Sequence, residues 1–185
     1  DIPERGRPGS IWDEVKTDAE KLQKQNLNLG LERGGFALGR GDNIKLVPDI
    51  FYNFAVQAGE TLFGADYKQV VFGGEMQKQI DYMLSFANPK SKNFSWSVAS
   101  ASQEDDFPEL EAFLTGKVSA IFAYSDLFPR LENELKNAKS RNDEVISLKD
   151  IAVTTIPQLS ADQDTHAVFA RYFGLGVSRN ARNQK

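Results

Sequence analysis

Thr115-Gly116-Lys117-Val118-Ser119-Ala120-Ile121-Phe122-Ala123-Tyr124-Ser125-Asp126-Leu127-Phe128-Pro129-Arg130 is the stretch that decides the fold class of this chain. Just upstream, Phe107 to Leu114 reads as a short helix, with Asp106 as cap and Pro108 in the first position, where a missing N–H costs nothing. Gly116 suits the exit from that helix, because glycine takes the left-handed stop conformation without strain. Val118 to Ala123 carries no charge and has the length of a strand buried on both faces. Ser125 and Asp126 then read as an N-cap pair opening a helix with Leu127, Leu131 and Leu135 along one side. A strand running straight into a helix puts Tyr124, Ser125 and Asp126 at the carboxyl edge of a parallel sheet. Open α/β folds bind their ligands outside that edge. On these residues alone, a plain helix–strand–helix unit with no ligand is the simpler reading.

Working outward toward the start, Asp1 to Gly9 reads as an extended lead-in and Ser10-Ile11-Trp12-Asp13 as a capping box. Behind it Trp12, Val15, Ala19 and Leu22 line one face of a helix. Gln25 to Gly35 reads as a polar loop, and Phe36-Ala37-Leu38 as a short strand running into Gly39-Arg40-Gly41-Asp42-Asn43. That glycine-rich turn lacks the third glycine of a dinucleotide loop and any Walker lysine, so nucleotide binding is rejected. It still lets a backbone approach a ligand and presents Asp42 and Asn43. Pro48 opens a helix on Ile50, Phe51, Phe54, Ala55 and Ala58 that Gly59 ends. Tyr67 to Phe72 reads as a hairpin strand. Gly74 to Ala87 reads as an amphipathic helix on Met76, Ile80, Met83 and Leu84. Lys90 to Asp106 is a long polar loop in which Trp96 either pins the loop to the core or offers a flat face to a ligand. It also carries the sequon Asn93-Phe94-Ser95.

Toward the other end, Ser140 to Glu144 reads as a linker and Ile151 to Ile156 as a β-branched strand broken by Pro157. His166 is the only histidine and has no cysteine or second histidine to share a metal, so no metal site is expected. Tyr172 and Phe173 close the aromatic content. Because each strand candidate feeds or follows a helix, the expected class is α/β with a mainly parallel sheet.

The chain has 185 residues, a net charge of −4 and no cysteine. That is the length of one domain. The acidic balance speaks against nucleic acid as the main partner, since a phosphate-binding face needs a basic excess. No apolar run reaches the roughly 20 residues of a membrane helix. The missing cysteines exclude disulfides and thiolate chemistry within these residues.

Four ordered segments resemble extracellular solute-binding proteins of ABC importers, on the carbohydrate-binding, maltodextrin-binding-like branch. Phe113-Leu-Thr-Gly-Lys-Val-Ser-Ala-Ile-Phe-Ala-Tyr-Ser125 is similar to that family's F-x-x-G-K-V-A-M-hydrophobic-G-Y-S segment. Pro8-Gly-Ser-Ile-Trp-Asp-Glu14 is similar to its P-x-T-W-x-E helix start, with Ile11 in place of Thr. Ile156-Pro-Gln-Leu159 is similar to its A-P-L-P-Q segment, and Ala167 to Asn180 resembles its Y-W-G-x-A-V-S-K segment, with Phe173 where many members carry tryptophan. Ala37 to Asn43 and Val56 to Gly59 look like two further family stretches. The resemblance implies most of the second, C-terminal lobe of a type II periplasmic-binding fold, residues 1–185 forming one domain without the first lobe. It implies a small-molecule solute, a sugar, as ligand, ABC permease subunits as partners of the full-length protein, and no cofactor. It also implies a site at the extracellular or periplasmic face with a lipoprotein anchor. A lobe cut in this way exposes a strand edge or apolar face through which copies could associate.

The ligand-binding residues expected are therefore Asn43, Tyr124, Ser125, Asp126, Tyr172 and Phe173. They combine rings with short polar groups, the mixture a sugar needs for its C–H faces and its hydroxyls. No catalytic residue is expected: there is no facing carboxylate pair, no nucleophile elbow and no triad. A sensing domain of a receptor is the alternative function, and a fragment of a carbohydrate-active enzyme the remoter one.

Overall fold

The structure is a computed structural model, and it describes residues 6–28, 30–71, 73–104, 106–140, 144–161, 166–168, 170–171, 174 and 180. Its elements run α1 (Trp12–Leu22), β1 (Lys24–Gln25), β2 (Leu31–Phe36), α2 (Val47–Gln57), α3 (Gly74–Ser85), α4 (Pro108–Leu114), β3 (Val118–Ala120) and α5 (Leu127–Ser140), then a 3₁₀ turn at Leu148–Asp150. The class is α/β. The sheet has three strands in the order β1-β2-β3. It is mixed rather than mainly parallel: β2 lies antiparallel to β1 and parallel to β3, with Gly34 opposite Val118 and Phe36 opposite Ala120.

Strand β2 falls where the composition reads as loop, and two glycines explain both facts. A Cβ on Gly34 would stand 1.9 Å from the Ser95 carbonyl oxygen, and one on Gly35 2.7 Å from Ala19 Cα. Real Cβ atoms do not approach so closely, so α1 and the Ser95 stretch can press on the strand only because these positions are bare. The cost is a sequence with low strand propensity at the centre of the sheet.

Two apolar clusters sandwich this sheet. Trp12, Val15 and Ala19 of α1 meet Phe36, Leu38, Ile50, Phe54, Met83 and Phe86 on one side. Ala37, Ile44, Trp96, Ala112 and Val118 fill the other. Leu110 and Leu114 of α4 pack on Leu131 and Leu135 of α5 in a third cluster, as the helical spacing requires. Rings dominate the first cluster, with Trp12 and Phe54 centroids 4.3 Å apart.

Several expectations change in detail. No capping box with Asp13 closes α1: its N-cap residue is Ile11 without a side-chain bond, and it is Glu14 that reaches back, its carboxylate accepting from Ser10 N at 2.7 Å and Ser10 Oγ at 3.3 Å. Asp106 does not cap α4, whose N-cap residue is Phe107 without a side-chain bond. Gly116 does take the left-handed conformation, at φ 71°. Strand β3 stops at Ala120, short of the Ala123 expected from the uncharged run, and Ala123 is exposed. Leu84, placed on the buried face of α3 by its spacing, is half exposed. Tyr67 is the positive-φ tip of a hairpin whose bridge joins Phe63 to Val70, rather than the start of a strand.

The largest correction concerns Ile151 to Ile156. These residues form no ladder, and Val153 is 79% exposed. Only Gln158 bridges to another segment, in parallel with Ile11. β-Propensity reflects packing on neighbouring strands, and no strand among the described residues offers that surface here.

Candidate functional site

Ala37 N–H donates to Ala120 O at 3.0 Å, so the chain leaves β2 and β3 side by side at the carboxyl edge of the parallel pair. From β2 the loop Gly39–Ile44 departs. From β3 the chain continues through Tyr124 into α5, whose first N–H groups, on Leu127 and Phe128, bond to the carbonyls of Tyr124 and Ser125. Helix α2 follows the loop that leaves β2. Its N-terminus is fixed by buried Glu109, whose carboxylate accepts from Lys45 N at 2.9 and 3.0 Å and from Leu46 N at 3.2 Å. An anion there is favoured by the helix dipole and satisfies N–H groups that lack intrahelical partners.

On this edge Tyr124 is the centre of a charged cluster. The Arg171 guanidinium lies 4.3 Å over its ring, and Arg171 Nη2 stands 3.5 Å from Asp126 Oδ2. Asp49, in the first turn of α2, lies on the hydroxyl side. The phenol is pushed above its ordinary value, first by burial and then by the Asp49 carboxylate, with Arg171 opposing and Asp126 adding slightly. The hydroxyl itself is covered but makes no well-formed hydrogen bond with the described residues. Asp49 is the hydroxyl's neighbour, close enough to raise the phenol but not aligned for a good bond, so a ligand can compete for this group.

Beside the cluster, the same turn of α2 forms a wall of an open cleft of about 310 Å³. Val47, Pro48 and Phe51 face Ile80, Met83 and Leu84 of α3 across it, with the backbone of Gly39 to Gly41 along the rim. Arg40 and Asp42 form a fork at this rim, with Arg40 Nε 2.8 Å from Asp42 Oδ1. The hydrogen bond to Arg40 holds the Asp42 carboxyl below its ordinary range. A second, polar cavity of about 510 Å³ lies at the other end of β2, between Gln23, Gln25 and Lys90 to Lys92.

The sequence-expected residues are distributed as follows. Tyr124, Ser125 and Asp126 stand together on the edge, with Ser125 and Asp126 exposed. Asn43 is in the loop as expected but is 1% exposed and turned inward. Its Oδ1 accepts from Trp96 Nε1 at 2.8 Å and its Nδ2 donates to Ser97 O at 3.0 Å. The amide thus shapes the loop from beneath. Trp96, fully buried, is the pin of its long loop and not a flat face for a ligand. The sequon asparagine Asn93 is fully buried too, its Nδ2 bonded to Ser85 Oγ at 2.8 Å. Tyr172 and Phe173 lie outside the described residues.

Two members of the cluster were not expected. Asp49 reads in sequence as an acid complementing a helix start. Arg171 carries no signal of its own beyond its place immediately before Tyr172. No group of three or more potential metal ligands occurs among the described residues, and no helix there is long and apolar enough to cross a membrane. The chain matches no protein-family model, no curated protein and no solved structure.

Proposed function

We propose that this chain forms one wall of the cleft of a solute-binding protein serving an ABC importer, with a sugar or oligosaccharide as solute. The finer fold in this reading is a type II periplasmic-binding lobe, a second lobe closes over the same edge by hinge motion, and the whole works at the extracellular or periplasmic face with permease subunits as partners. The observation that carries the reading is the Tyr124 cluster: a ring, a covered hydroxyl lacking a good partner, two carboxylates and a guanidinium, all at the carboxyl edge of the parallel pair. Rings take the C–H faces of sugars, while carboxylates and guanidinium take hydroxyl donors and acceptors. Asn43 contributes in this reading by holding the loop, and Ser125 and Asp126 by direct contact, while Tyr172 and Phe173 are proposed as further ligand contacts. One wall alone leaves most of a ligand solvated, so binding by this chain is weak.

Saturation-transfer NMR tests it at millimolar maltooligosaccharide. The expected result is transfer from protein to sugar protons that Tyr124→Ala abolishes. Absence of transfer at any oligosaccharide length, or transfer unchanged in Tyr124→Ala, contradicts it.

A further inference from the structure

Arg171 reaches Tyr124 from a segment that is gripped four residues earlier, at Ala167. Gln57, near the end of α2, donates from Nε2 to Ala167 O at 3.1 Å and to Pro157 O at 2.8 Å, while its Oε1 accepts from Trp12 Nε1 at 2.8 Å. Gln158 takes the other side: its Oε1 accepts from Ala167 N at 3.1 Å. The two glutamines are 6% and 3% exposed. Their amide orientations are dictated by partners, because an indole N–H and a backbone N–H can only donate and so must meet amide oxygens.

A residue whose N–H and C=O are both taken by buried side chains cannot slide or turn without losing both bonds. Four residues span at most about 14 Å, so the place where Ala167 is pinned limits where the Arg171 side chain can land. The contacts Arg171 makes at its far end are exposed, its side chain 43% and that of Asp126 67% accessible. Exposed ion pairs and cation–π contacts are too weak to order a segment by themselves. The buried end supplies order that these two contacts do not.

We infer that Gln57 and Gln158 are positioning residues of the Tyr124 edge: together they clamp Ala167 and thereby seat the Arg171 guanidinium over the Tyr124 ring. Helix α2 then serves the edge at both ends, with Asp49 at its start and Gln57 at its finish. The consequence for a ligand rests on the solute-binding reading; the seating of Arg171 does not. Two buried glutamines acting only as fold cement would move stability and leave Tyr124 alone.

The test uses the full chain labelled with 13C-tyrosine. The Tyr124 ring cross-peak is identified by its loss in Tyr124→Phe, and Arg171→Met gives its position without the guanidinium. Gln158→Met, which keeps the volume, and Gln57→Glu, which keeps the acceptor for Trp12 but removes the donor, are expected to move the peak to the Arg171→Met position. In the unsubstituted chain the Ala167 amide is expected to exchange with deuterium at least tenfold more slowly than in an unstructured peptide. The inference is overturned if both variants lower the melting midpoint while the Tyr124 peak stays put, if Arg171→Met itself leaves that peak unmoved, or if Ala167 exchanges at the free-peptide rate. Loss of sugar saturation transfer would overturn the solute-binding reading and none of these results.

Discussion

Replacing Asn43 by Ala removes a side chain that three other groups depend on. Trp96 Nε1 loses its acceptor at 2.8 Å, Ser97 O its donor at 3.0 Å, and Ala101 O a weaker donor at 3.4 Å. Trp96 is fully buried, so its N–H cannot turn to water. A buried donor left without a partner costs about 1–3 kcal/mol, and the net loss at the Ser97 carbonyl adds about 1 kcal/mol. The sum, roughly 3 kcal/mol, lowers the melting midpoint of a chain this size by about 6–12 °C. Urea unfolding followed by tryptophan fluorescence is the assay, with the midpoint expected to fall and the slope to hold. A Trp96→Phe background removes the donor as well, and there the cost of Asn43→Ala should shrink by about 1 kcal/mol or more. A cost below about 0.5 kcal/mol, or one equal in both backgrounds, would refute the inward placement of Asn43.

Other perturbations bear on different parts of the account. Gly34→Ala drives a Cβ to 1.9 Å from the Ser95 carbonyl and is expected to abolish the cooperative near-ultraviolet melt, since the obstacle is backbone. Glu109→Gln turns part of an acceptor that meets three N–H contacts into a donor, and should cost about 1–3 kcal/mol in chemical denaturation. Val153→Lys should change stability by less than about 0.5 kcal/mol, because the residue is exposed; a loss of several would restore the strand that sequence suggests. Asp42 should titrate below its ordinary 3.8 by carboxylate NMR and return toward it in Arg40→Met. Its folded value is depressed, so the stability it adds is present above the unfolded value and fades as pH falls through the lower one. The contribution is small, because the pair is exposed.

Local rules made much of this molecule legible. The apolar spacing of α1, α2 and α5 and the left-handed exit at Gly116 depend on neighbours in sequence, and they appear where the residues put them. That Tyr124 and Asp126 lie between the strand and the next helix was readable from their order in the chain, although β3 ends at Ala120, earlier than the uncharged run suggests. What was not legible depends on distant partners. Strand β2 looks like a loop until Ala19 and Ser95 are seen pressing on its glycines. Asn43 looks like a ligand contact until Trp96, 53 residues away, claims its oxygen. Ile151 to Ile156 looks like a strand because β-branched residues suit one, yet propensity supplies no neighbour. Gln57 met sequence reading only as the end of a helix, while its partners lie 45, 100 and 110 residues away.

Asp126→Ala separates a ligand edge from a surface helix start most directly. Affinity for a maltooligosaccharide, from saturation-transfer titration, and stability, from the melting midpoint, are measured on the same samples. Asp126 is 67% accessible and its ion pair with Arg171 exposed, so stability should fall by less than about 1 kcal/mol. Affinity should fall at least tenfold, about 1.4 kcal/mol, as a hydroxyl partner is lost. Unchanged affinity, or affinity and stability falling in step, would contradict the claim that this edge faces a solute.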